Sequence, residues 1–166
     1  MPDLEFDIPY RELGFFGVPG RTSTFLMPTV HCLVQLLEPP FFVLTLDEVD
    51  IAHFERVQFS LKNFDLVFVY KDLTRQPAFI SAIPVQNLDP TKDWLEYAPY
   101  YFIFLLPGAN HTTHNNTQHN NNSECNIKYY EGPANLNWKT ILSTIREDPK
   151  KFWEDGGWNF LNADGS

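Results

Sequence analysis

The chain has 166 residues, a length that suits one domain or at most two small ones. Hydrophobic residues make up 43% and charged residues 20%, which excludes wholesale disorder. Twelve Lys and Arg against 21 Asp and Glu leave a net charge of −9, a poor match to nucleic acid or an anionic membrane and a better one to a basic partner.

Aromatics at 16% alongside 13 prolines favour strands and turns over a helical bundle. Cys32 and Cys125 give neither a disulfide framework nor a zinc spacing, and read as two reduced thiols of the cytosol or nucleus. The opening MPDLEFDIPY is acidic and broken by prolines, unlike a signal peptide. The longest apolar run, Tyr97 to Leu106, is about half the roughly 20 residues that a membrane span needs.

In chain order, residues 1–21 read as an extended arm, with Gly14, Gly17, Pro19 and Gly20 crowding one turn-rich stretch. Short segments bounded by turn residues follow: Thr22 to Met27, Cys32 to Leu37 and Phe41 to Leu46 carry the strand signature. Asp50 to Phe59 reads as a strand, because Val49, Ile51, Val57 and Phe59 keep a two-residue alternation. Phe64 to Tyr70 (FDLVFVY) is the clearest strand, and Ala78 to Ile83 is another. The connections are too short for crossover helices, so an antiparallel meander is expected. Asp89 suits a helix cap and Pro90 the first helical position, which would turn Trp94 and Leu95 toward the sheet. Strands in this number with one helix predict a mainly-β fold, a pleckstrin-homology-like barrel or sandwich with a capping helix.

Residues 97–126 combine an aromatic run with an Asn/His/Thr tract that cannot form a core, and read as a disordered low-complexity insertion. Ile127 to Tyr130 resumes regular structure. Trp138, Ile141, Leu142 and Ile145 recur at i, i+3, i+4 and i+7, one apolar helical stripe with Asn137 as its cap. Asp148-Pro149 starts a second helix holding Phe152 and Trp153, Gly156-Gly157 ends it, and Trp158, Phe160 and Leu161 fold back as a return strand. The expected organisation is an arm (1–21), a β module (22–96), the insertion (97–126), and a C-terminal strand with a helical hairpin (127–166).

Chemistry finds little purchase. His31 and Cys32 are strand neighbours on opposite faces, so they form no dyad. Asp47, Glu48 and Asp50 precede a strand without the glycine and distal Glu of a calcium loop, and read as a solvated turn. His53 and Glu55 share a strand face, but two ligands do not make a metal site. His111, His114 and His119 sit in the Asn-rich tract, where binding would have to offset ordering the chain. Three glycosylation sequons in the same tract follow from its Asn/Thr composition, and the scattered Arg21, Lys62, Lys71 and Arg75 do not build a phosphate site. No metal or other cofactor is expected. The helical stripe has two readings: it packs on the preceding barrel, or part of the hairpin stays open as a groove for a partner helix.

HFERVQFSLKNFDLVFVYKD (His53 to Asp72) resembles the middle domain of the large subunit of FACT, a nuclear histone chaperone complex. The similarity continues through EFDIPYRELGFFGVPGR, EPPFFVLTLDEVDI, IPVQNLDPTKDWL, NLNWKTI and DPKKFWEDGGWNFL, in order, and omits Tyr97 to Ser123. The resemblance implies the second of two pleckstrin-homology-like modules with its C-terminal helical hairpin, often called a U-turn. It implies no enzymatic activity, a nuclear and chromatin-associated location, and core histones as partners. The second subunit of the complex would be held by other parts of a longer protein, of which this chain would be a fragment or a truncated gene model. In the family the hairpin offers an apolar surface to a helix of a histone dimer, which maps here to Asn137 to Leu161 and draws in Trp138, Ile141, Leu142, Ile145 and Phe152. Asp47, Glu48 and Asp50 are the candidates for attracting basic histones.

Overall fold

The computed structural model describes residues 4, 6–97 and 127–162. The insertion expected at 97–126 lies outside the described residues except for Tyr97, as do Cys125, the three tract histidines and the sequons.

The first four strands form one antiparallel sheet in chain order: β1 (Phe15–Gly17), β2 (Thr24–Pro28), β3 (Cys32–Gln35) and β4 (Phe42–Thr45). β1 is a correction, because it comes from the stretch expected as an arm. Glycines and prolines around it hide its strand character, yet Phe16 pairs with Phe25 and Phe15 is buried in the core. Gly17 shows why a small residue stands there. A Cβ would lie 2.6 Å from Ile80 Cγ2, so only glycine lets β1 reach the second sheet. Beside it, Val18 and Ser81 exchange backbone hydrogen bonds of 2.8 and 3.0 Å that join the two sheets.

The second sheet holds β5 (Val49–Glu55), β6 (Asn63–Tyr70), β7 (Ala78–Pro84) and β8 (Lys128–Glu131), in the order β7-β6-β5-β8. The antiparallel meander holds within each sheet as far as β7 but breaks between β4 and β5, which do not pair, and β8 runs parallel to β5. It follows a helix and a long connection, which gives the chain room to cross over. β5 stops at Glu55 rather than continuing to Phe59. Arg56 takes a left-handed backbone (φ 56°), the alternation breaks, and Phe59 is left exposed.

At its other end β5 carries a bulge. Val49 joins the inner core and Ile51 the outer face although they are two residues apart, because the register slips between them. Asp50 is the extra residue.

Helix α1 (Leu88–Tyr97) follows a 3-10 turn at Val85–Asn87 and starts one residue before the expected cap. Trp94 and Leu95 enter the inner core, as their spacing predicted. Helix α2 (Trp138–Glu147) is capped by Asn137, whose side chain accepts the Thr140 N–H at 3.2 Å. Helix α3 (Pro149–Glu154) is capped in the same way by Asp148, which accepts the Lys151 N–H at 3.1 Å. The last segment, Gly157–Leu161, is a 3-10 turn and not a return strand. Gly156 (φ 104°) reverses the chain so tightly that Trp158 and Leu161 tuck back under the hairpin.

This is the expected mainly-β architecture with a helix packed on the barrel and a helical hairpin. Two apolar layers result. The inner layer lies between the sheets and includes Phe54, Phe64, Leu66, Phe68 and Ile80. The outer layer lies between the second sheet and the hairpin, where Ile51, Val67, Val69 and Tyr130 meet Trp138, Leu142, Ile145, Trp158 and Leu161. β6 is therefore buried on both faces, the physical reason that FDLVFVY reads as an almost unbroken apolar run.

Candidate functional site

The candidate site is the C-terminal hairpin, and its geometry starts from the sheet beneath it. In β5 and β6 the outward-facing positions are Ile51, His53 and Glu55 opposite Val69, Val67 and Asp65. Glu55 thus sits directly across from Asp65, with both carboxylates buried. Like charges at opposed positions repel. Each must therefore be held by donors, and each is.

Glu55, 0% exposed, accepts the Leu136 N–H at 2.6 Å and the Trp138 Nε1–H at 3.3 Å. His53, 2% exposed, brings Nδ1 to 3.4 Å from Glu55 Oε2 without hydrogen-bond alignment, and its ring meets Trp138 edge-on. Asp65 receives two bonds from Arg56 (2.8 and 3.1 Å), one from Asn135 (3.0 Å) and one from the backbone N–H of Ala82 (3.0 Å). Burial by itself would raise the Asp65 pKa. The hydrogen bonds from Arg56, Asn135 and Ala82, with the Arg56 charge, outweigh it and hold the carboxyl below its ordinary range. The same bond raises the Arg56 guanidinium.

The far end of the hairpin is tied to the same strand. Trp158 Nε1–H donates to Asp50 at 2.8 Å, and the bulge brings Asp50 within reach. Arg146 donates to the Leu73 carbonyl at 3.2 Å.

The predicted stripe divides across these two environments. Trp138, Leu142 and Ile145 face the sheet and are buried, each such side chain contributing roughly 1.5–3 kcal/mol. Ile141 and Phe152 are half-buried at the margin of the same layer. Asp50 reaches the hairpin through Trp158. Asp47 and Glu48 stay in the exposed turn Leu46–Glu48, where Glu48 pairs with Arg75 at 2.9 Å.

Away from the sheet, α2, α3 and the 3-10 turn enclose a groove of about 430 Å³. Ile145, Phe152, Gly157 and Phe160 form its apolar lining, and the exposed Glu147, Asp148 and Asp155 outnumber Lys151 around it. Phe152 stacks edge-on with Trp153 (4.9 Å), Trp158 (5.0 Å) and Phe160 (6.5 Å). Phe160 is 56% exposed and Trp153 54%, so the aromatic cluster is buried on one side only.

Sequence reasoning missed Glu55, Asp65 and Phe160 as parts of this site. For Asp65 the available signal was a lone carboxylate inside the apolar run FDLVFVY; Glu55 lies in a strand that also carries Asp50 and His53 and gave none. Among the described residues no group of His, Cys, Asp and Glu gathers as a metal site, and no helix is long and apolar enough to cross a membrane.

Residues 16–98, half of the chain, match the family model described as the middle domain of the Rttp106-like histone chaperone. The chain belongs to this family. It is a family of histone chaperone domains and not of enzymes. The relatives extend the similarity past the family model. A FACT complex subunit SPT16 from Dictyostelium discoideum is 48% identical over 163 residues, or 98% of this chain. Those from Gibberella zeae and Yarrowia lipolytica are 48% and 46% identical over 161 residues each. The chain spans about 13% of the length of these relatives. The hairpin lies beyond residues 16–98 but within the stretch shared with the SPT16 proteins.

Proposed function

We propose that this chain is the histone-binding module of a nuclear FACT-type chaperone and that it binds core histones through the outward side of the C-terminal hairpin. The observation that carries this reading is the half-open aromatic groove of a chaperone-family domain, with Phe160 exposed in its lining, Trp153 exposed beside the lining residue Phe152, and three carboxylates around it. A groove of this shape takes an apolar side chain from a helix, and its negative surround suits a helix that carries Lys or Arg. Phe152 lines the groove, whereas Ile141 packs at the margin of the layer beneath it and Trp138, Leu142 and Ile145 serve it from below by holding α2 to the sheet. Asp47, Glu48 and the net charge of −9 act earlier, by raising the encounter rate in a salt-dependent way. The relatives are named as subunits of a complex, so a second subunit would be contacted by portions of the longer protein outside this chain.

The test is titration of histone dimer and histone tetramer at physiological salt with the chain and with a Trp153→Ala, Phe160→Ala variant. Both side chains are more than half exposed, so the variant keeps its fold. Loss of the groove aromatic Phe160 together with its exposed neighbour Trp153 lowers affinity by at least about 10-fold. Equal binding by both proteins contradicts the groove.

A second reading, a scaffold module that docks another domain or subunit, has its own supporting observation. On the first sheet Phe16 pairs with Phe25, and Met27, Val34 and Val43 run across three strands, with Phe16 and Val43 more than half exposed. That apolar face lies on the other sheet from the hairpin. In this reading the chain binds no histone itself, so an unaltered chain that fails to bind histones but binds a partner subunit or a preceding module, with that binding lost on Val43→Lys, favours it.

A further inference from the structure

Two buried carboxylates directly opposite each other on neighbouring strands are an expensive arrangement in a sheet whose outer face is, apart from His53, apolar. Apolar residues at both positions would pack the hairpin without that repulsion. What the carboxylates supply instead is direction. Asp65 takes the Asn135 side chain, and Glu55 takes the Leu136 N–H and the Trp138 indole. Three of the four residues 135–138 are thus gripped from one cross-strand pair, immediately where α2 begins.

We propose that Glu55, opposed to Asp65, is a positioning residue: together they clamp 135–138 and so set the pose in which the hairpin, and with it the groove, is presented to a histone. The second half of this inference rests on the histone-binding reading above; the first half does not. Apolar burial favours contact with the sheet but is non-directional, so it fixes neither the start nor the tilt of α2. The two N–H bonds to Glu55 do both. Asp50 plays the lesser part of holding Trp158 at the hairpin's other end.

The chemistry makes Glu55→Gln a sharp perturbation despite its shape. Each Glu55 oxygen faces a donor: Oε2 faces the Leu136 N–H, and Oε1 the Trp138 indole N–H. A Gln amide can accept on one side only and opposes N–H to N–H on the other. In a Trp138→Phe background that second donor is gone, so the same Glu55→Gln change costs less. A residue acting through bulk alone shows no such coupling.

The experiment is amide hydrogen exchange on the 166-residue chain, with histone titration of the same proteins. In the unaltered protein the Leu136 amide exchanges as slowly as the amides of β6, although it precedes the helix. In Glu55→Gln the amides of α2 and of residues 157–161 exchange at least about 10-fold faster, equivalent to ~1.4 kcal/mol, while those of β6 and β7 hold. The acceleration shrinks when Trp138→Phe is already present. Histone affinity falls by the ratio of docked fractions that exchange reports. A fast Leu136 amide in the unaltered protein overturns the clamp whether or not any variant folds. Hairpin exchange unchanged by Glu55→Gln, or matched by equal loosening of the barrel, also overturns it. If the docked fraction falls and affinity does not, the clamp has no part in presenting the groove. If the unaltered chain binds no histone, the histone reading fails, and exchange alone decides the clamp.

Discussion

Asp65 ties three parts of the molecule together, so Asp65→Ala is the perturbation that weighs most on the second sheet. The carboxylate is buried and accepts four hydrogen bonds, from Arg56 after β5, from Ala82 in β7 and from Asn135 ahead of the hairpin. Removing it takes away the buried charge itself. The partners left behind are not stranded, since the Arg56 side chain is 37% exposed and can turn into water. The loss is therefore below the 3–5 kcal/mol typical of an orphaned buried ion, at about 2–3 kcal/mol, the net worth of hydrogen bonds to a charged group. Urea unfolding followed by tryptophan fluorescence reads this as a lower midpoint at unchanged slope. The pH dependence has a definite sign. The folded carboxyl titrates below the ordinary value of about 3.9, so the folded state holds fewer protons than the unfolded one. The stabilisation is complete above about pH 4 and is lost as pH falls through the lower folded value. The gap between wild type and Asp65→Ala accordingly narrows below pH 4. A loss under about 0.5 kcal/mol at pH 7, or a gap that does not narrow in acid, refutes this account of Asp65.

Ala82 lies in the left-handed region (φ 55°) where β7 bulges against β6, a backbone that costs an L residue about 1–2 kcal/mol. Ala82→Gly relieves that strain against roughly 0.4–1 kcal/mol of added unfolded-state entropy, so thermal unfolding should show a gain of up to about 1 kcal/mol rather than the loss usual for glycine in a strand. Ile145 is 4% exposed but borders the groove, so its surroundings can relax; Ile145→Ala costs about 2 kcal/mol in urea unfolding, whereas Phe160→Ala costs under about 1 kcal/mol.

Much of this architecture is legible in the sequence because the residues that build it have one dominant preference. FDLVFVY could be little else than a strand, Trp94 and Leu95 had to face the sheet, and Asn137 and Asp148 cap their helices as their types suggest. The losses have physical causes. β1 is a strand through its partners β2 and β7, not through the propensity of FFG, and Gly17 is there for a close approach that no local pattern reveals. β5 ends early because Asp65, ten residues downstream of its last residue, holds Arg56 in a left-handed turn. The segment after Gly156 has strand-forming aromatics, but no neighbouring strand pairs with it among the described residues, and it closes as a 3-10 turn. The stripe on α2 shows that the helix is amphipathic and nothing about what it faces. It took the sheet to show that Trp138, Leu142 and Ile145 are the underside and that the exposed aromatic surface belongs to Trp153 and Phe160. Glu55 reads as an ordinary polar position in β5 and Asp65 as an isolated charge in the apolar run of β6 until the hairpin is laid over them.

The central claim is that histones meet the outward side of the hairpin while its underside stays on the sheet. The most direct test compares amide hydrogen exchange of the chain alone with that of its complex with histone dimer. Slowed exchange confined to residues 144–160, with β5, β6 and β7 unaltered, is the predicted footprint. A footprint on the first sheet around Phe16 and Val43, with residues 144–160 exchanging as in the free chain, would contradict it.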